Sequence, residues 1–230
     1  MRSALRRTTC AAATLALLVT PEGRAQQRPV FAVLPFENSG SYGQDREVFE
    51  ALELGLPAMV DRALSRRAAA GVAGRPRVRQ ALAGLGLGPG QRFDAATASQ
   101  VAKAAGARYT VTGSFSDFYG KFRMNARVVD GRSGEILKVV SNDDPKLQDR
   151  AQLGAIIAYV SDKIAQAAGL EPRGGTEAEP PGEAILDYSR ALLHESRGEA
   201  ARAAEYFQRA IDAAPGFEEA QAGLRRMRGG

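Results

Sequence analysis

The 230-residue sequence has one cysteine and one histidine, and each scarcity removes a class of chemistry. Cys10 sits in the N-terminal leader described below, so the mature chain has no disulfide, no thiol chemistry and no cysteine-based metal site. His194 has no second histidine or cysteine to join it and reads as a helix-face residue, not as part of a catalytic triad or zinc site. Beyond the leader, no apolar run is long enough to cross a membrane as a helix. An excess of charge is also missing. The whole chain carries 31 Lys+Arg against 26 Asp+Glu, but four arginines and one glutamate fall in residues 1–25. Cleavage there leaves 27 against 25, so the high pI is largely a property of the leader. No basic patch interleaved with aromatics appears, which argues against nucleic acid as a partner.

Residues 1–25 read as a secretory signal peptide. Arg2, Arg6 and Arg7 form a basic head, Cys10 to Val19 an apolar core of signal-peptide length, and Gly23-Arg24-Ala25 a cleavage site. Thr8-Thr9-Cys10 lacks the apolar residues that follow a twin-arginine signal, so Sec-type export to the periplasm is expected. Cys10 precedes the apolar run instead of ending it and is no lipidation site. About 200 mature residues suit one medium domain and a smaller unit.

What is present is organised around Ala104 to Val140. Tyr109, Val111, Gly113 and Phe115 alternate with Thr110, Thr112, Ser114 and Ser116; Phe122, Met124, Ala126 and Val128 alternate with Arg123, Asn125 and Arg127. A period of two places one set on a core and the other toward water. Tyr119-Gly120-Lys121 and Asp130 to Gly134 supply the turns of a three-stranded meander ending in Glu135 to Val140. Val30 to Phe36 reads as a central strand buried on both faces. Helices are expected over Glu47 to Arg67, with Pro57 kinking the pattern, and over Pro76 to Leu85. A third runs from Ala95 to Ala105 between Asp94 and Gly106, and a fourth from Leu147 to Ala168. Ala68 to Gly74 is too weak a pattern to assign. Residues 170–182 are rich in proline and glycine and read as a linker. The fold class expected is α/β (α+β): a mixed sheet with an antiparallel C-terminal meander packed on helices, followed by a small all-α hairpin.

Two stretches carry a resemblance. Val30-Phe31-Ala32-Val33-Leu34-Pro35-Phe36-Glu37-Asn38 is similar to the first-strand hallmark of the CsgG/TolB-amino-terminal-like family, to which curli assembly and transport components belong. Gly106-Ala107-x-Tyr109 with Gly113-Ser114, then Asn125 to Asp130 with Gly134-Glu135-Ile136, resembles its second hallmark. The similarity runs from about Val30 to Leu170, and residues 29–169 are expected to form that domain. Gly198, Ala203, Phe207, Ala210 and Pro215 match the spacing of a tetratricopeptide (TPR) repeat, so residues 183–228 are expected to form one repeat with a capping helix. The first helix departs from the repeat at Asp187, Arg190 and His194, where aromatic or apolar residues are usual. One repeat does not stand alone; docking on the main domain or pairing with a neighbouring chain is expected. The repeat implies a concave protein-binding surface at Ile185, Tyr188, Leu192 and Glu195.

Few residues suggest chemistry. Gly84 to Gly90 follows a helix and lacks the Lys-Ser/Thr of a phosphate loop, so it reads as a helix stop. Asp143-Asp144 read as a turn before the Leu147 helix. Arg123, Asn125 and Arg127 form a polar stripe that would suit an anionic ligand or an acidic edge. No cofactor or metal is implied, and no constellation joins a nucleophile, a base and an oxyanion site. The sequence therefore points to a non-enzymatic exported protein of the cell envelope, at or near the outer membrane, that serves assembly or secretion through protein contacts. A small-ligand or glycan module, or a ring-forming channel component, are the other readings. The channel branch of the family carries a lipid anchor and membrane-inserted hairpins, for which this chain has little room.

Overall fold

The structure is a computed structural model that describes residues 28–41, 46–88, 91–171 and 179–229. The signal peptide, most of the linker and the end of the glycine run lie outside the described residues.

The order of elements is β1 (Val30–Asn38), α1 (Arg46–Ser65), β2 (Gly71–Val72), α2 (Arg75–Gly84), α3 (Ala95–Ala105), β3 (Tyr109–Phe118), β4 (Lys121–Asp130), β5 (Ile136–Ser141), α4 (Leu153–Ala167), α5 (Gly182–Ser196), α6 (Ala200–Ala213) and α7 (Glu218–Gly229). The five strands form one mixed sheet in the order β2-β1-β3-β4-β5. β1 pairs in parallel with β2 and β3; β3, β4 and β5 form the antiparallel meander. The two-residue β2 explains why Ala68 to Gly74 gave no pattern: it only extends the edge by pairing Gly71 and Val72 with Val30 and Phe31.

Alternation along the strands sorts side chains between two layers. Phe31, Val33 and Phe36 of β1 join Val111 and Phe115 of β3 and Phe122, Met124, Ala126 and Val128 of β4 under α1 and α4. Ala32 and Leu34 point the other way, onto Val78, Ala81 and Leu82 of α2 and Val101 and Ala105 of α3. α2 and α3 cover only part of that second face. Ser114 and Ser116 of β3 are half-exposed, Arg123 and Arg127 of β4 exposed.

Local chemistry sets the boundaries. Asp94 accepts a hydrogen bond from the Thr97 backbone N–H at 2.7 Å and Gly106 closes α3 in the left-handed region, as the sequence indicates. Pro57 lies inside α1, which runs unbroken to Ser65. The β3–β4 turn takes both Tyr119 (φ 52°) and Gly120 (φ 87°) into positive φ, the twist that a two-residue hairpin requires. α4 begins at Leu153, six residues later than expected. Asp144 and Asp149 are the reason: their carboxylates accept from the N–H groups of Lys146 and Ala151, which fixes turns where a helix would have started. Asn142, fully buried, also ties this segment down, donating to the carbonyls of Phe122 and Leu147 and accepting from the Met124 N–H.

Candidate functional site

α5, α6 and α7 form a helical layer that sits on α1. One apolar cluster runs without a break from the sheet through Leu52, Leu56 and Met59 of α1 to Ile185, Tyr188 and Leu192 of α5, then to Phe207 and Phe217. The concave positions inferred from the repeat spacing therefore face α1. Ile185 is 0% exposed, Leu192 2% and Tyr188 4%, so three of the four are closed to an outside partner in this arrangement. Tyr188 packs against Phe207 and Phe217 at ring distances of 5.9 and 4.8 Å, and burial pushes its phenol up. Glu195 alone lies at the rim, held by Arg226 at 3.0 Å.

A glycine lets α1 and α5 come this close. A Cβ on Gly55 would fall 1.8 Å from Ser189 Oγ and 2.5 Å from its Cβ, and the Ser189 hydroxyl already donates to the Ile185 carbonyl at 2.6 Å. In an isolated helix Gly55→Ala would gain about 1 kcal/mol from propensity. Here the overlap is expected to reverse the sign, for a net loss of about 2 kcal/mol by urea unfolding. Gly55→Ala with Ser189→Gly should recover most of it. A more stable single variant would show that the helices are not seated this closely.

Charge closes the other end of the same interface. Arg62, 5% exposed on α1, bonds Glu179 through Nη1 at 2.5 Å and Glu219 of α7 through Nε at 2.8 Å, and its guanidinium covers the Phe217 ring at 5.6 Å. Arg67 pairs with Asp162 of α4. At the start of α1, His194 lies between Glu199 (2.8 Å) and Glu47 (3.3 Å) and stacks on Tyr206. The lone histidine thus joins α5 to α1, and this contact lowers the Glu199 pKa, chiefly through the hydrogen bond to His194. Next to Arg62 in the chain, Asp61 Oδ1 is shut off from solvent without a hydrogen-bond partner among the described residues. Burial pushes its carboxyl up to about 7, although Arg75 pulls the other way.

The polar stripe takes up the opposite side of the molecule. Across the ladder, Arg123 lies opposite Ser116, Asn125 opposite Ser114 and Ser141, and Arg127 opposite Thr112 and Val139. Arg123 pairs with Asp143 at 3.1 Å, which also accepts from the Ser141 hydroxyl. Arg127 makes no ion pair among the described residues. Asp143 therefore serves the sheet face while Asp144 caps the turn. The two sets of sequence-derived residues are not brought together: Ile185, Tyr188, Leu192 and Glu195 belong to the helical seam, and Arg123, Asn125 and Arg127 to the open sheet.

Arg62, Gly55 and Asp61 went unnoticed in the sequence. A mid-helix glycine beside Pro57 was a usable signal, since it costs helix stability unless something approaches closely. Asp61-Arg62 gave none, because charged pairs on an amphipathic helix usually face water. Among the described residues, no group of three or more His, Cys, Asp or Glu side chains is placed to hold a metal ion, and no helix is long and apolar enough to cross a membrane.

No family model matches the chain, and neither does any curated protein. Solved structures resemble part of it. The C-terminal domain of LpoB from Salmonella enterica is 19% identical with a TM-score of 0.39, covering 50% of this chain and 81% of that one. TolB from Acinetobacter baumannii is 20% identical with a TM-score of 0.40, covering 62% of this chain and 28% of that one. Lipoprotein GNA1162 from Neisseria meningitidis is 17% identical with a TM-score of 0.41, covering 59% of this chain and 96% of that one.

Proposed function

We propose that this is an exported, non-catalytic protein of the cell envelope that works through protein contacts in assembly or secretion. Its core is of the CsgG/TolB-amino-terminal-like kind, and α5 to α7 form a TPR-like unit. The observation that carries the reading is the seating of α1 against Ile185, Tyr188 and Leu192. The helical unit holds a helix of its own chain at the positions where such a repeat would hold a partner's. The two hallmark stretches lie on β1 and on β3–β5 of one sheet, which supports the family reading. With the helical face filled, contacts with other proteins fall to Glu195 at its rim and to the open sheet face.

The test is to express the whole chain with its leader in a Gram-negative host. We expect cleavage after Ala25, recovery in the periplasmic fraction, and a monomer or dimer by light scattering without detergent. In-cell crosslinking should then yield discrete protein adducts. A retained leader, or a large ring that needs detergent, would overturn the reading; a ring that inserts in liposomes would favour the channel.

A further inference from the structure

We propose that the free edge of β5, with the open face of β3 and β4 beside it, takes up an extended acidic segment of a partner protein as a sixth strand. This rests on the reading above that the chain works through protein contacts, and it names the surface and the kind of partner.

β5 ends the sheet, and β4 is its only strand partner among the described residues. Among the described residues its outer row of backbone groups therefore has no strand to pair with. Such an edge is normally guarded by charge, by irregular pairing or by short length, because an exposed apolar edge invites other strands. Here one lysine and one register shift are the guards, at Lys138 and between Val128 and Val129. Against them, Ile136, Leu137 and Val139 are 48, 40 and 58% exposed on a strand of six residues. The backbone supplies affinity in strand addition and the side chains supply selectivity.

Charge selects the occupant. Arg127 lies opposite Val139 on the open face and is exposed with no ion pair among the described residues, and Lys138, opposite Val128, is exposed on the other face. Arg123 is held by Asp143, but both side chains are largely exposed and a bridge of that kind exchanges readily. Of the acids nearby, Glu135 precedes β5, Asp143 and Asp144 follow it, the first on Arg123 and the second accepting from the Lys146 N–H, and Glu37, across the sheet, is held by Arg92. Arg127 is thus the cation left without a carboxylate on the open face among the described residues, beside the place of a sixth strand. A second copy pairing edge to edge would bring the same cations toward one another, which disfavours it. An acidic strand with alternating apolar residues meets both features: its carboxylates on the open face reach past Val139 to Arg127, and its apolar side chains take the other face, beside the stem of Lys138.

The test uses the mature chain, residues 26–230, labelled with ¹⁵N. The probe is a capped eight-residue peptide alternating valine and glutamate, and its control alternates valine and lysine. We expect the glutamate peptide to shift and protect amides of β5 and the adjoining face of β4, and to bind at least about tenfold more tightly than the control. Val139→Glu and Arg127→Glu, both at exposed positions, should each weaken it about fivefold or more with no change in melting temperature. No binding, equal binding of the two peptides, or protection away from β5 would overturn the proposal. So would a concentration-dependent dimer that protects β5 without peptide, which would give the edge to a second copy. Export, periplasmic recovery and crosslinked adducts would be unaffected by such a failure, so the two readings can fail separately.

Discussion

Replacing Arg62 by methionine is expected to cost about 3 kcal/mol, although methionine matches the stem of arginine in length and is the more apolar residue. The Arg62 side chain is 3% exposed, and its guanidinium sits between Glu179, whose side chain is 6% exposed, and Glu219. Removing it leaves the Glu179 carboxylate, and in part that of Glu219, which is 31% exposed, out of water without this cation, and that desolvation is the source of the loss. The group as a whole is a different matter. Buried ion clusters are often neutral or slightly destabilising relative to an apolar replacement. Arg62→Met with Glu179→Gln and Glu219→Gln should therefore regain most of what the single change loses. Denaturant unfolding of the three proteins, with Arg62→Lys as a fourth, checks this. Lysine keeps the charge but cannot serve Glu179 and Glu219 through two separate nitrogens, so partial loss is expected. A single variant as stable as the parent would mean that α7 and the segment before α5 are not held on α1 by this residue.

That result bears on how the chain is organised. Arg62, Gly55 and His194 tie one helix, α1, to a layer more than a hundred residues away in sequence. Sequence patterns report local periodicity, and each of these elements was legible that way. Asp94 and Gly106 marked both ends of α3, and the alternation from Tyr109 to Val128 gave β3 and β4 with the correct face inward. Boundaries went astray where side chains compete with the backbone, as Asp144 and Asp149 do before α4. The partner of the helical layer was not legible. An apolar stripe at Ile185, Tyr188 and Leu192 is the same whether it meets another protein or α1. What distinguishes the two is complementarity: a glycine on one helix against a serine on the other, which no single-helix pattern contains. The polar stripe was easier to read, because Arg123, Asn125 and Arg127 alternate with a buried set and must lie on one face. Its neighbour Val139 was not, since its exposure follows from β5 being the last strand, and strand order is a property of the whole sheet.

Asp61 sets the second large effect, and here pH decides the sign. Its carboxyl is raised from an ordinary 3.8 to about 7 because burial disfavours the charged form more than Arg75 favours it. Below pH 4 the group is protonated in both the folded and unfolded chain and contributes no pH dependence. Between about 4 and 7 the unfolded chain releases its proton while the folded chain keeps it. The folded state then binds more protons, and stability falls as pH rises. Above about 7 both forms are ionised and the loss levels off at ~4 kcal/mol, an upper bound because local relaxation admits water. Asp61→Asn fixes the neutral shape at every pH. It should behave like the parent at pH 4 and melt roughly 8–15 °C higher at pH 8. Arg75→Gln should act oppositely, steepening the fall by removing the one cation that favours the anion. Melting curves at pH 4, 6 and 8 separate the cases. Parallel curves for the parent and Asp61→Asn would mean that Asp61 reaches solvent or a partner in solution. A gap that opens with pH would make it the group that loosens α1, the helix on which the whole α5–α7 layer sits, as pH rises.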